Sequence, residues 1–389
     1  MLILVDEKGK NTCSGCFACE SVCPKECIEL KKDERGFKYP YIDHMKCIKC
    51  GACDRICETA SARLKSEALP KAYGMYASDE KIRIESSSGG IFTLLAKKVL
   101  SDRGVVIGAA MTDDFKDVHH IAIESSNNIS ALTGSKYLQS DISGIFGQVK
   151  QYLTKGKNVL FSGTPCQIDG LKAFLGQEYD RLLCVDIICH GVPSPMIWKK
   201  YCIEIEGKTG EKIETINFRH KKYGWERFSL YVLTDSKRAI VKSKTEDPYL
   251  RLFLNDFTLR PSCYNCSHKG LNRKSDITIA DFWGVSNVEP ELYNRNGTSL
   301  VLVHSDKGMK YIDSISENTV IKEVNAEAAV NQNSAGYVSA VEPEKAEEFW
   351  NCLNNESIEN LADKYCPVKF STRIKSVIVK SAIYRCLKR

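Results

Sequence analysis

Hydrophobic and polar positions change rhythm twice along this chain. Through residues 1–66 the apolar runs are short and broken by cysteines, with one brief candidate strand at CIEL (27–30). After a polar stretch between Ser61 and Lys71, apolar runs begin to alternate with helical spacings, the pattern of an α/β unit. SSSGGIFTLLAKKVL (86–100) predicts a helix capped by Ser86 to Ser88, with Ile91, Leu94, Leu95 and Val99 on one face, leading into the strand VVIGAAM (105–111). Residues 142–156 repeat the helical spacing. NVLF (158–161), IDGLKAFLG (168–176) and RLLCVDII (181–188) then read as strand, helix and strand, a βαβ unit. Three antiparallel strands are expected at 213–219, 227–234 and 239–242, with Tyr223, Gly224 and Trp225 in a turn. A helical PYLRLFLNDF (248–257) and a buried strand in SDITIADFWG (275–284) follow.

The predicted fold is therefore an α+β N-terminal domain followed by an α/β body with a mixed sheet and flanking helices. Its regions are 1–66, 67–158, 159–366 and a tail, 367–389. With 389 residues and 43% hydrophobic content, the chain is long enough to bury real cores. The opening MLILVDEKGK is too short an apolar run for a secretory segment, and no window resembles a membrane span, so a cytoplasmic protein is expected. The net charge of +6 is a property of the tail. Residues 369–389 hold seven Lys or Arg and no acid, leaving 48 basic against 49 acidic residues elsewhere. A neutral body gives no reason to expect nucleic-acid binding. The tail, with interleaved Ile, Val and Tyr, is a candidate for peripheral contact with an anionic membrane surface at the cytoplasmic face, or for an acidic protein partner.

Eighteen cysteines in a reducing compartment point to metal ligation or redox chemistry rather than disulfides. Cys13, Cys16, Cys19 and Cys23 recur 34 positions later as Cys47, Cys50, Cys53 and Cys57, each run reading CxxCxxCxxxC. Three thiolates on one turn hold three corners of a cubane, and the fourth reaches the other cluster. The expected sets are Cys13, Cys16, Cys19 and Cys57 for one 4Fe-4S cluster, and Cys47, Cys50, Cys53 and Cys23 for the other. A tetrahedral zinc site would leave four thiolates unexplained, and Cys19, Cys23 and Cys27 do not have the spacing of a radical SAM triplet. Cys27, Cys184, Cys202, Cys352, Cys366 and Cys386 read as structural.

In the body, Cys166 and Cys189 follow adjacent parallel strands at their carboxyl ends, where open α/β sheets bind ligands. No GxGxxG accompanies them, so a Rossmann nicotinamide site is not supported. Cys263 and Cys266 form a CxxC that suits half a metal site or a redox pair, and the four thiolates together suit a third cluster. The Ser-Gly helix start at Ser88, Gly89 and Gly90 is a weak candidate for phosphate, since exposed amides favour an anion.

These motifs together resemble the beta subunit of coenzyme F420 hydrogenase and dehydrogenase, in the form with an N-terminal ferredoxin. The matching segments are SSGG (87–90), GSKYLQSD (134–141), FSGTPCQI (161–168), CHGVPSP (189–195), RPSCYNC (260–266) and SDITIADFWG (275–284). The resemblance implies FAD and a third 4Fe-4S cluster beside it, held by Cys166, Cys189, Cys263 and Cys266. It also implies FAD-phosphate contacts from Ser88, Gly89, Gly90, Ser135 and Lys136, with Asp281 and Trp283 bordering the cofactor. One departure matters. Hydrogenase subunits typically carry an acidic residue and asparagine after the cysteine of the CHG segment, whereas His190 and Gly191 stand here, so the small redox molecule is left open between an F420-like compound and another hydride donor or acceptor. His190 is a candidate proton donor; His119, His120, His220 and His268 have no evident constellation.

The expected activity is that of an iron-sulfur flavoprotein oxidoreductase. FAD exchanges an electron pair with a small-molecule redox substrate, and the clusters pass single electrons onward, to a protein redox partner for example. The alternative is a non-catalytic iron-sulfur electron-transfer subunit serving a partner enzyme.

Overall fold

The computed structural model describes residues 9–61 and 69–368. The N-terminal unit is built on a hairpin of β1 (Ile28–Lys32) and β2 (Lys38–Ile42), flanked by short helices Ala18–Ser21 and Ala52–Ser61. The cysteine runs fold as loops entering these two helices, which leaves little regular structure where the thiols are concentrated.

The body is organised by one eight-stranded mixed sheet. Its strands are β3 (Lys71–Ala77), β4 (Val105–Met111), β5 (Val118–Ile123), β6 (Val159–Gly163), β7 (Leu182–Ile187), then β11 (Ile277–Asp281), β12 (Ser299–Val303) and β13 (Thr319–Val324). Between them in sequence, β8 (Ile213–His220), β9 (Ser229–Thr234) and β10 (Ala239–Ser243) form a separate antiparallel sheet. The spatial order in the large sheet is β13-β3-β12-β11-β7-β6-β4-β5, with β4, β6, β7 and β11 parallel. The sheet runs unbroken across residue 158, because β4 pairs with β6.

The period of two along the central strands explains why they are apolar throughout. Val106, Leu160, Leu183 and Val185 face a core with the helices Ile91–Ser101 and Asp306–Ile315, while Val105, Ile107, Phe161 and Cys184 face the opposite core with Ile145–Thr154 and Pro165–Leu175. Both faces are covered. Phe17 and Ala18 of the N-terminal unit are buried in the second of these cores, so the two units share apolar packing. A third, aromatic core holds Trp198, Phe218, Tyr249 and Phe253 beneath the small sheet.

The capping expectation at Ser86 to Ser88 is revised. The helix begins at Ile91, Gly90 occupies its cap in a left-handed conformation, and no side chain caps it. The serines are held elsewhere, as shown below. Among the described residues no helix is long and apolar enough to cross a membrane. The basic tail and Cys386 lie outside the described residues, apart from residues 367 and 368.

Candidate electron-transfer site

The described cysteines are free thiols, and nine of them line two cavities. Among the described residues no three His, Cys, Asp or Glu side chains share one metal-ion position. A cavity of ≈ 410 Å³ in the N-terminal unit is lined by Cys23, Cys47, Cys50 and Cys53, one of the two sets expected from the spacing. Cys27 lines it too, with its Sγ 3.4 Å from that of Cys23, and burial pushes its thiol up to about 12. The second expected set is also gathered: burial raises the Cys19 thiol well above its ordinary value, and the neighbouring charges that reinforce the shift are Cys16, Cys13 and Cys57.

A further cavity of ≈ 550 Å³ is lined by Cys166, Cys189, Cys263 and Cys266, together with His190, Lys269 and Arg273. Three distant segments supply its cysteines. Cys166 stands in the first turn of the helix after β6, a turn fixed by Pro165 and by a capping box between Thr164 and Gln167. Cys189 follows β7, and Cys263 and Cys266 come from the 3₁₀ turn Pro261–Asn265 and its end. Burial raises Cys166 well above the ordinary thiol range, Cys189 to about 11 and Cys263 to about 12. Without a metal these thiols are protonated at neutral pH; iron is what would hold them as thiolates.

The inner set adjoins the second cavity. Cys16 is among the groups whose charge acts on Cys166. The helix Pro165–Leu175 connects them directly, since it begins at Cys166 and one turn later presses Gly170 against Cys16. On the other side, His190 pairs with Asp256 at 2.6 Å and meets Phe253 edge-on, and Phe253 in turn contacts Tyr137 at 5.0 Å between ring centres.

Tyr137 contacts a cluster of basic side chains. Arg219 is buried, donates from Nη1 to Tyr137 Oη at 3.2 Å, and lies 2.8 Å from Asp281 as an ion pair. Asp281 also accepts from Trp225 Nε1 at 2.7 Å, and Trp225 stacks on Trp283. Lys221 Nζ donates to Arg83 O at 2.6 Å, Ser88 O at 2.9 Å and to Asn296 O. Lys136 Nζ donates to Ala131 O and Thr133 O. Burial pushes Lys136 and Lys221 each down to about 7, and also lowers Lys244. Asp281, half-buried, is the carboxylate that acts on all three of Arg219, Lys221 and Lys244, so basic side chains outnumber acidic ones in this cluster.

The residues expected to bind phosphate tie neighbouring segments together. Ser88 Oγ donates to Thr298 O, and the Gly89 amide donates to Ser299 Oγ. Ser135 donates from both its amide and its hydroxyl to Ser87 Oγ, at 2.7 and 2.9 Å. Arg219, Lys221 and Ser87 were missed as functional candidates; the basic run Arg219–Lys222 before the aromatic turn is the signal that would have found the first two. His120 is a core residue between Ser140 Oγ and Ser162 O, pushed down to about 4 by burial, and His268 pairs with Asp169 at 2.5 Å.

Family models match three segments of the chain. They are the N-terminal part of the coenzyme F420 hydrogenase/dehydrogenase beta subunit over residues 72–146, its C-terminal part over 156–329, and a 4Fe-4S dicluster domain over 12–61. Coenzyme F420-dependent sulfite reductase of Methanocaldococcus jannaschii is 29% identical over 331 residues, 80% of this chain and 47% of that protein. A subunit of the F420H2 dehydrogenase of Methanosarcina mazei is 20% identical over 201 residues, 47% of this chain and 56% of that protein. The chain spans about half the length of these curated relatives. Among solved structures, a chain of the F420-reducing NiFe hydrogenase complex from Methanosarcina barkeri superposes with a TM-score of 0.46 at 15% identity, covering 70% of this chain and 93% of that one.

Proposed function

The chain belongs to the family of coenzyme F420 hydrogenase/dehydrogenase beta subunits and carries a 4Fe-4S dicluster domain, and from that premise we propose an iron-sulfur flavoprotein that moves electrons between a small redox molecule and a protein partner. The observation that carries this reading is the adjacency of three cysteine sets and a cluster of basic side chains. The outer set is Cys23, Cys47, Cys50 and Cys53. The inner set, Cys13, Cys16, Cys19 and Cys57, lies between it and the set of Cys166, Cys189, Cys263 and Cys266. Each is proposed to hold one 4Fe-4S cluster.

The basic cluster is proposed to take a dianionic diphosphate. Lys136 and Lys221 are buried and shifted toward neutrality, the state expected of amines whose counter-ion is a ligand rather than a side chain. The uncapped helix start at Gly90 adds donors on the same side. FAD held here would supply the conversion between two-electron and one-electron transfer. Lys136, the Ser87–Ser135 pair and Lys221, which would exchange one of its three carbonyl acceptors for a phosphate oxygen, are proposed to bind the diphosphate, Arg219 and Asp281 to orient the site, and Trp283 to border the flavin. His190, held by Asp256 on the cavity rim, is proposed to hold or deliver a proton at its ring nitrogen.

Protein purified without oxygen should then contain about twelve iron and one FAD per chain. About eight iron with no flavin would instead support an electron-transfer subunit without substrate chemistry. Anaerobic addition of reduced F420, a reduced nicotinamide or a reduced ferredoxin, followed by flavin bleaching, identifies the donor.

A further inference from the structure

We infer that Arg260 is a fixed cation that raises the reduction potential of the inner cluster, the one proposed above for Cys13, Cys16, Cys19 and Cys57; the inference rests on that ligand set. Arg260 is fully buried between the dicluster domain and the body. Its Nε donates to Cys13 O at 2.7 Å, and Nη2 donates to Lys38 O at 3.0 Å and lies 3.6 Å from Cys13 Sγ. Nη1 donates to Gln139 Oε1 at 2.9 Å. The guanidinium also lies over Tyr39, 4.2 Å from its ring centre. A side chain at Gly15 would run into it, with a Cβ 2.9 Å from Nη1.

Every acceptor that Arg260 meets among the described residues is neutral: two carbonyls, an amide and a cysteine sulfur. Burying a guanidinium with no counter-charge is unfavourable. A cubane held by four thiolates is anionic, and it supplies that counter-charge where Nη2 points. Reduction adds one more negative charge to the cluster, so a cation fixed at this distance favours the reduced form. The same segment, three residues on, provides Cys263. Arg260 therefore stands where the inner cluster meets the cavity of Cys166, Cys189, Cys263 and Cys266.

Arg260 could instead be a clamp that only joins the two units, and two variants separate these roles in redox titrations of the whole chain followed by electron paramagnetic resonance. Arg260→Gln removes the charge. Gln139→Glu retains Arg260 with its bonds to Cys13 and Lys38 and neutralises it through the contact at Nη1. Each should disfavour one-electron reduction of the inner cluster at least tenfold, a fall of 59 mV or more in its midpoint. The outer cluster should not move, and Arg260→Lys should keep most of the wild-type value. An inner midpoint unchanged in Gln139→Glu overturns the inference, and that variant decides the matter if Arg260→Gln fails to assemble the cluster. Cys19→Ser identifies which signal is the inner one. Should both signals persist in it, the ligand set fails rather than the role of Arg260.

Discussion

Cys16 and Gly170 touch at the limit of close packing: a Cβ on Gly170 would lie 2.9 Å from Cys16 Cβ and 3.0 Å from its Sγ. The dicluster domain and the helix that begins at Cys166 are thus joined backbone to thiol. Gly170→Ala should force that joint apart, costing about 1–3 kcal/mol as overpacking does. A lower denaturation midpoint, with iron released from the inner set before the outer, is the expected result; wild-type stability and iron content would contradict it.

Removing one ligand tests the third cluster on its own. Cys263→Ser should lower the iron content by about four per chain, with the signals of the two N-terminal clusters intact. An unchanged iron count would refute the assignment of Cys166, Cys189, Cys263 and Cys266 to a cluster.

The outer set should be the vulnerable one. Cys50 is exposed, as are Met45 and Ile48 beside it, whereas Cys19 is buried and Cys16 lies against Gly170 of the body. Exposure governs access of oxidants and chelators to a cluster sulfur. Under a chelator with limited oxygen, the outer signal should vanish first, and simultaneous loss of both N-terminal signals would argue against this order.

Flavin binding should weaken as pH rises above neutrality. In the flavin-free protein burial holds Lys136 and Lys221 down to about 7. The folded chain therefore binds fewer protons than the unfolded chain between that pH and the ordinary lysine range, and its own stability rises with pH across the window. A diphosphate beside these amines raises their pKa again, so binding takes up protons. Affinity measured by fluorescence quenching should fall by up to about tenfold per pH unit for each amine engaged. A pH-independent affinity would remove Lys136 and Lys221 from the phosphate site.

Asp281→Ala should be costly without any cofactor. It leaves buried Arg219 without its carboxylate and Trp225 Nε1 without its acceptor. Stripping one partner from a buried ion pair costs about 3–5 kcal/mol, which a urea midpoint would register. A loss below about 1 kcal/mol would mean that Arg219 reaches water when Asp281 is removed.

Much of this was legible in the sequence because it depends on spacing. The 34-residue repeat gives the cysteine sets, and alternate residues of VVIGAAM and RLLCVDII face opposite cores, as strands covered on both sides require. Cys166 and Cys189 could be found together because a βαβ unit brings its strand ends to one edge. Arg260 could not be read in the same way: its contact with Cys13 joins residues 247 apart, and no local pattern encodes that meeting. Lys221 was hidden for a similar reason, since its partners come from the segment after β3 and the loop before β12. At Ser86 to Ser88 local propensity misled. Serines before a helix usually cap it, but here Ser87 and Ser88 reach Ser135 and Thr298, and Gly90 makes the turn.

Phe17 and Ala18 are buried with Phe146, Phe161 and Leu171 of the body. Excising the first 66 residues would strip water-excluding partners from both halves, so this ferredoxin is no detachable cartridge. An electron passed along it would cross separations fixed by that packing rather than wait for a tethered carrier to swing into range, as along a wire soldered at both ends.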